Sequence, residues 1–186
     1  MTSILKVDTI QNAAGGTPTA ASLGLNVSGS VLQVVSATKT DTYSVSLGGA
    51  ATDGSNFIEV SITPKSTSSK IYISGHVVGT GASGVNSFAL KMYRDSTQIL
   101  LGDADGSRAR VAVAGQNTGA DDNTTSTLSF VYLDSPSSTA TLTYGLRIAN
   151  PAGTTQTFYI NRSISDTNVA QRARGTSTIT LMEIAG

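Results

Sequence analysis

The sequence predicts an all-β protein: an antiparallel β-sandwich of the jelly-roll type, preceded by an extended N-terminal segment. Three observations carry that expectation. From Ser30 onward, apolar and polar residues alternate over many short segments, as strands do when one face meets a core and the other meets water. Gly, Pro, Asn, Asp and Ser cluster between those segments, where turns need them. The apolar residues are mostly Val, Ile, Leu and Ala set among Ser and Thr, which make up about a quarter of the 186 residues, a composition suited to pleated, half-buried surfaces.

The chain divides into a leader (1–14), a linker or shaft containing Gly and Pro (15–30) and a sandwich domain (31–186). In the leader, Leu5, Val7 and Thr9 alternate with Ile4, Lys6, Asp8 and Ile10, so an extended segment there carries apolar residues on both sides. A short helix with Leu5, Val7 and Ile10 on one broad face is the other reading. Either way Leu5, Val7 and Ile10 are the expected anchor, docking on another protein. In the linker, Leu23, Leu25 and Val27 alternate with Gly24 and Asn26, which suggests one short extended stretch.

The expected strands are 31–36, 43–47, 57–63, 70–79, 86–94, 97–101, 108–114, 126–133, 140–149, 156–161 and 176–184. In the third, Ile58, Val60 and Ile62 oppose Phe57, Glu59, Ser61 and Thr63. In the eighth, Leu128, Phe130 and Tyr132 oppose Ser129, Val131 and Leu133. In the ninth, Leu142, Tyr144, Leu146 and Ile148 share one face. Turn chemistry separates them at Asp53-Gly54, Asp95-Ser96, Asp105-Gly106, Ser135-Pro136 and Pro151-Ala152-Gly153, and Arg94-Asp95-Ser96-Thr97 reads as a hairpin turn. The longer loops are 113–125 and 163–175, the second with room for a helical turn through 167–173. So many short strands without a fixed repeat suggest a jelly roll.

Composition narrows the function. Charged residues are 13% of the chain, about half the usual share. Twelve basic residues balance twelve acidic ones, which leaves no electrostatic footprint for nucleic acid. No apolar run approaches the ~20 residues of a membrane-spanning helix. The start, MTSILKVDTIQ, lacks the basic and apolar regions of a secretory signal, so the expectation is synthesis in a cytoplasm and exit, if any, within an assembly. With no Cys there is neither a disulfide nor a thiolate site. A formal net charge of zero gives little repulsion between copies, and an assembly that hides sheet edges compensates for it.

No chemical motif stands out, so an enzyme, a cofactor and a metal are not expected. His76 is alone, and one imidazole makes neither a metal cage nor a triad. Gly102-Asp103-Ala104-Asp105-Gly106 has a calcium-loop flavour, but its Gly comes too early and no Glu closes the loop. A turn whose Asp side chains bond their own backbone is preferred there, and Asp121-Asp122-Asn123 is similar. Glycan hydrolysis needs two carboxylates across the bond; the Asp pairs lie in turns, and Glu59 and Glu183 lie in strands. Gly79-Thr80-Gly81-Ala82-Ser83-Gly84 fits G-x-G-x-x-G, but a strand follows it instead of a helix, so it reads as a hairpin loop. Gln171-Arg172-Ala173-Arg174-Gly175 reads as a solvated loop or as a polar contact to a neighbouring subunit or glycan. The Asn-x-Ser/Thr patterns at Asn26, Asn123 and Asn161 read as chance in so Ser- and Thr-rich a chain.

The leader Leu5-Lys6-Val7-Asp8-Thr9-Ile10-Gln11-Asn12-Ala13-Ala14-Gly15 resembles the start of tail-fibre-like virion proteins of marine tailed phages, cyanophages especially. The ending Ser177-Thr178-Ile179-Thr180-Leu181-Met182-Glu183-Ile184 resembles the last strand of such proteins. In strand count and final apolar strand the body is similar to trimeric jelly rolls of the complement-C1q and tumour-necrosis-factor type. The resemblance implies a virion protein made in the host cytoplasm, anchored to other virion proteins through its leader, with an exposed, homotrimeric body that contacts host-surface glycan. A capsid decoration or head-fibre protein that stabilises the shell is the alternative. Large residues beyond the needs of one core, Tyr72, Tyr93, Phe158 and Met182, are the expected trimer contacts.

Overall fold

A computed structural model describes residues 8–18, 23, 28–49, 52–81, 87–116 and 122–186. Its strands are β1 (Val31–Lys39), β2 (Tyr43–Leu47), β3 (Ile58–Ile62), β4 (Lys70–Gly81), β5 (Ser87–Arg94), β6 (Thr97–Ile99), β7 (Val113–Gln116), β8 (Ser126–Asp134), β9 (Leu142–Ala149), β10 (Gln156–Ile160) and β11 (Ser177–Ile184). Every pairing between them is antiparallel.

The strands form two sheets. In the first, β1, β11, β4 and β8 lie side by side. Near the end of β4, β10 replaces β11 along the same edge, and β2 pairs outside β10. In the second, β3, β9 and β5 are neighbours, and β6 and β7 share the far edge of β5. If β6 and β7 are counted as one interrupted strand and the β2–β10 pair is set aside, eight strands remain. Their order is first-last-third-sixth in one sheet and second-seventh-fourth-fifth in the other, the jelly-roll order.

The alternation explains the layers. In β11, Ser177, Ile179, Leu181 and Glu183 are buried, and the alternate residues Thr178, Thr180, Met182 and Ile184 are not. The core is the space between the sheets. Ile71, Ile73, Val77, Ile179, Leu181, Leu128, Phe130, Phe158 and Ile160 face Ile58, Ile62, Phe88, Leu90, Met92, Leu142, Tyr144, Leu146 and Ile148. Two glycines of β4 let the layers close. A Cβ on Gly75 would lie 2.2 Å from the Thr178 carbonyl oxygen and 2.7 Å from the Phe130 ring, and one on Gly79 would lie 2.7 Å from the Phe88 ring.

Four expectations need correction. The seventh strand does not start at Arg108. The Arg110 Nε donates to the Gly102 carbonyl (2.6 Å) and the Gln98 amide caps the Arg110 carbonyl (2.9 Å), so the chain joins β5 only at Ala112, whose N–H bonds the Leu90 carbonyl. Residues 167–173 form no helical turn; Val169 N–H bonds the Thr167 carbonyl and Arg172 N–H the Val169 carbonyl, closing tight turns instead. Gly79 and Gly81 are strand residues of β4, and β4 and β5 belong to different sheets, so the two strands do not pair as a hairpin; Ala82, Ser83 and Gly84 lie outside the described residues. Phe158 is not a surface contact. It is wholly buried between the sheets, 6.4 Å from the Phe88 ring centroid, because its register opposite Gly81 turns it inward.

Candidate functional site

The two outer faces of the sandwich differ sharply, and the difference locates the candidate surface. On the first sheet the register brings Val34, Met182, Tyr72 and Leu133 into one row across four adjacent strands. The next row is Ser36, Thr180, Ser74 and Val131, and the third is Thr38, Thr178, His76 and Ser129. Val31 and Ile184 extend the apolar end, with Lys70 at the rim. Val131 is 61% exposed, Val34 54% and Leu133 47%; Tyr72 and Met182 are half-buried. Within the three rows no side chain is a carboxylate, ammonium or guanidinium. The far end of the face is covered by the chain itself, because Gly175 packs against Val78.

Of the expected trimer contacts, the fold makes Tyr72 and Met182 direct cross-strand neighbours. Val34 and Leu133 complete their row and Val131 lies in the next one; none of the three stood among the expected contacts. The signal lay in β8 and β1, whose alternation carries apolar residues on both faces. His76 is half-buried in the hydroxyl-rich row between Thr178 and Ser129.

The second sheet's outer face carries a cluster of charge. Residues 52–57, ahead of β3, run along the edge of β9, and the Asp53 carboxylate receives Lys91 Nζ at 3.0 Å and Tyr93 Oη–H at 2.8 Å, with an Arg147 guanidinium nitrogen at 3.5 Å. Arg147 stacks 3.7 Å over the Tyr93 ring and donates through Nε to Asn56, whose amide reaches Glu59. Burial works against the Asp53 charge, but the Lys91 and Tyr93 hydrogen bonds and the two cations hold its carboxyl below the usual range. Burial and donation to Asp53 push the Tyr93 hydroxyl up. Tyr93 thus belongs to an internal clasp on the face opposite Tyr72 and Met182.

Buried polar ties hold the inner face. Glu183 is fully buried in β11; its carboxylate accepts from the Gln33 amide at 2.5 Å and the Lys65 N–H at 2.6 Å. Burial opposes its charge, and those donors outweigh burial, so its carboxyl sits below the usual range. Asp134 accepts from Arg94 and from the Tyr144 hydroxyl, each at 2.7 Å. Burial, then that donation, raises the Tyr144 hydroxyl far above the ordinary tyrosine value. Asn161 is buried at φ 60°, its amide spent on the Lys39 and Asp41 carbonyls and its oxygen on the Ser177 hydroxyl, so it is inaccessible to glycosylation.

The remaining candidates lie apart. Gly102, Asp103, Ala104 and Asp105 line an open hollow of about 550 Å³ with Arg108 and Arg110. Asp105 pairs with Arg108 at 3.1 Å, and the turn is closed by Arg108 N–H on the Asp105 carbonyl. Among the described residues no group of three His, Asp or Glu side chains converges for a metal. Arg172 donates to Asn123 ahead of β8 and Arg174 pairs with Asp166 at 2.6 Å, so the cationic run is tied to a neighbouring segment and within its own loop. Ile10 is 51% exposed in the leader; Leu5 and Val7, like Asn26 and Asp121, lie outside the described residues.

No protein-family model matches the chain, and no curated protein matches it. Among solved structures, it is similar to a chain in the structure of infectious bursal disease virus Gx strain, at 15% identity and a TM-score of 0.44, over 83% of this chain and 37% of that one. It is also similar to a chain in the infectious bursal disease virus VP2 subviral particle, at 13% identity and a TM-score of 0.41, over 82% and 38%. The chain therefore spans less than two-fifths of the length of either.

Proposed function

We propose that this chain is a structural component of a tailed-phage virion, a trimeric fibre-type protein that joins the particle through its leader and contributes to host-surface attachment. The observation that carries the reading is the leader itself. Residues 8–17 are exposed. Within them the Asn12 side chain accepts from the N–H groups of Ala14 and Gly16, and Gly15 N–H bonds the Asn12 carbonyl. This small self-contained turn leaves Ile10 free for a partner. It falls inside the stretch that resembles fibre-like phage proteins. The body suits the role physically: its two sheets are tied by buried carboxylates and amides, and a particle outside the cell depends on slow unfolding.

The test uses purified particles of the phage that encodes the chain. Deleting residues 1–14 is expected to leave the circular dichroism spectrum and thermal midpoint of the body unchanged and to abolish its incorporation into particles. A body that unfolds, or a truncated chain that still joins particles, refutes the anchor. Immunogold labelling of intact particles is expected on the tail. Label spread over the shell refutes the fibre reading in favour of decoration.

A further inference from the structure

We infer that the uncharged outer face of the first sheet, centred on the row Val34–Met182–Tyr72–Leu133, is the surface on which a second copy of this chain packs. The inference rests on the trimeric reading above and names the face that reading leaves open.

Four observations converge on it. Four of the large apolar residues most exposed in the body, Val31, Val34, Val131 and Leu133, lie on this one face, and two half-buried ones, Tyr72 and Met182, fill the row between them. Four strands about 4.8 Å apart and about seven residues of about 3.4 Å make the face about 450 Å² in plan. That is a sizeable share of the ~800 Å² each partner gives to a standard interface, and contiguous apolar patches of a few hundred Å² mark interaction sites.

The second observation is chemical. With no fixed charge in three rows, the face asks for no countercharge from its occupant. A second copy of a chain with 13% charged residues and zero net charge meets that condition without repulsion, and Ser36, Thr180 and Ser74 offer hydroxyls for hydrogen bonds with a neighbour rich in Ser and Thr. The opposite sheet differs in kind, because its outer face carries the charged Asp53–Lys91–Arg147 clasp.

The third is the gradient. The face is apolar at the end of Val31 and Ile184, turns to hydroxyls toward Thr38 and Thr178, and is covered by its own chain at Val78. The fourth is where the linker meets the body. Gly29 N–H bonds the Ala185 carbonyl and Ala185 N–H the Ser30 carbonyl, so the chain enters the sandwich at the apolar end. Copies that pack through this end bring these entry points side by side, as joint attachment requires. In a closed ring each copy receives its neighbour on one surface and offers another; this face is one of the two.

The experiment measures solution mass by light scattering for the full chain and for two variants, Val34→Lys with Leu133→Lys, and Ser61→Lys as a control on the other sheet. The full chain is expected at about three times its 19.0 kDa. The double variant is expected at the monomer mass with an unchanged circular dichroism spectrum, and the control at the mass of the full chain. Should the double variant fail to fold, Val131→Cys in this cysteine-free chain supplies a single thiol. Its maleimide labelling is expected to be several-fold slower than that of Ser61→Cys in the assembled protein and equal to it on dilution to monomer. An assembled, folded double variant, or labelling at equal rates in the assembly, overturns the face while leaving the trimer intact. A monomeric full chain overturns both.

Discussion

Replacing Glu183 by Gln tests the inner architecture most directly. Glu183 is a carboxylate with no exposure, in the strand between β1 and β4, and it holds Gln33 of β1 and the backbone of Lys65 ahead of β4. Each charge-assisted bond is worth about 1.5–3 kcal/mol net. Gln keeps one acceptor but turns its NH₂ toward the other donor, so one bond is lost and a buried donor faces a donor. The expected loss is about 3 kcal/mol. With a urea slope of about 2 kcal/mol per molar, the unfolding midpoint at neutral pH falls by about 1.5 M. The sign with pH follows from the depressed carboxyl. Its contribution is complete above the unfolded value of about 4.3 and disappears as pH falls through the lower folded value. The gap between the two proteins is therefore constant above about pH 5 and narrows in acid. Urea unfolding followed by tyrosine fluorescence, at one protein concentration and several pH values, measures it. A gap below about 0.5 kcal/mol at neutrality, or one unchanged on acidification, refutes the buried, ionised carboxylate.

Two further perturbations address packing and the hydroxyl network. Gly75→Ala places a methyl 2.2 Å from the backbone oxygen of Thr178, which cannot move without breaking the β4–β11 ladder, so the cost exceeds about 3 kcal/mol. Gly102→Ala, which meets nothing within 4 Å, stays within about 0.5 kcal/mol, and a Gly75→Ala protein as stable as that control refutes the register. Tyr93 and Tyr144 both keep their protons above the ordinary tyrosine value, so the stability they supply is complete below about pH 10 and declines as pH rises beyond it. Denaturation curves at alkaline pH are expected to lose this decline in part with Tyr144→Phe, and an unchanged decline refutes the coupling to Asp134.

Much of the fold was legible from the sequence because strand formation is local. The period-two alternation in 58–62, 142–149 and 177–184 follows from side chains pointing to opposite faces of one strand, which needs no knowledge of the partner. The same locality explains the misread stretch. Arg108-Ala109-Arg110-Val111 alternates like a strand, yet the Arg110 guanidinium and carbonyl are committed to Gly102 and Gln98 across the loop. The buried role of Glu183 was invisible because the alternation marks it as an inward position without saying that Gln33 and Lys65 wait there with donors.

By itself, then, the sequence determined that this is an all-β chain, sparse in charge. Only the tertiary structure decided which strands pair, and pairing decided everything about the surfaces. Tyr72 and Met182, 110 positions apart, meet because β11 lies against β4, and Leu133 joins them because β8 takes the other edge. Phe158, alike in character, turns into the core, and Tyr93 into a salt-bridged clasp. Strand order and register arise from contacts between distant segments. No local pattern encodes them, and a shift of one residue would move each side chain to the opposite face.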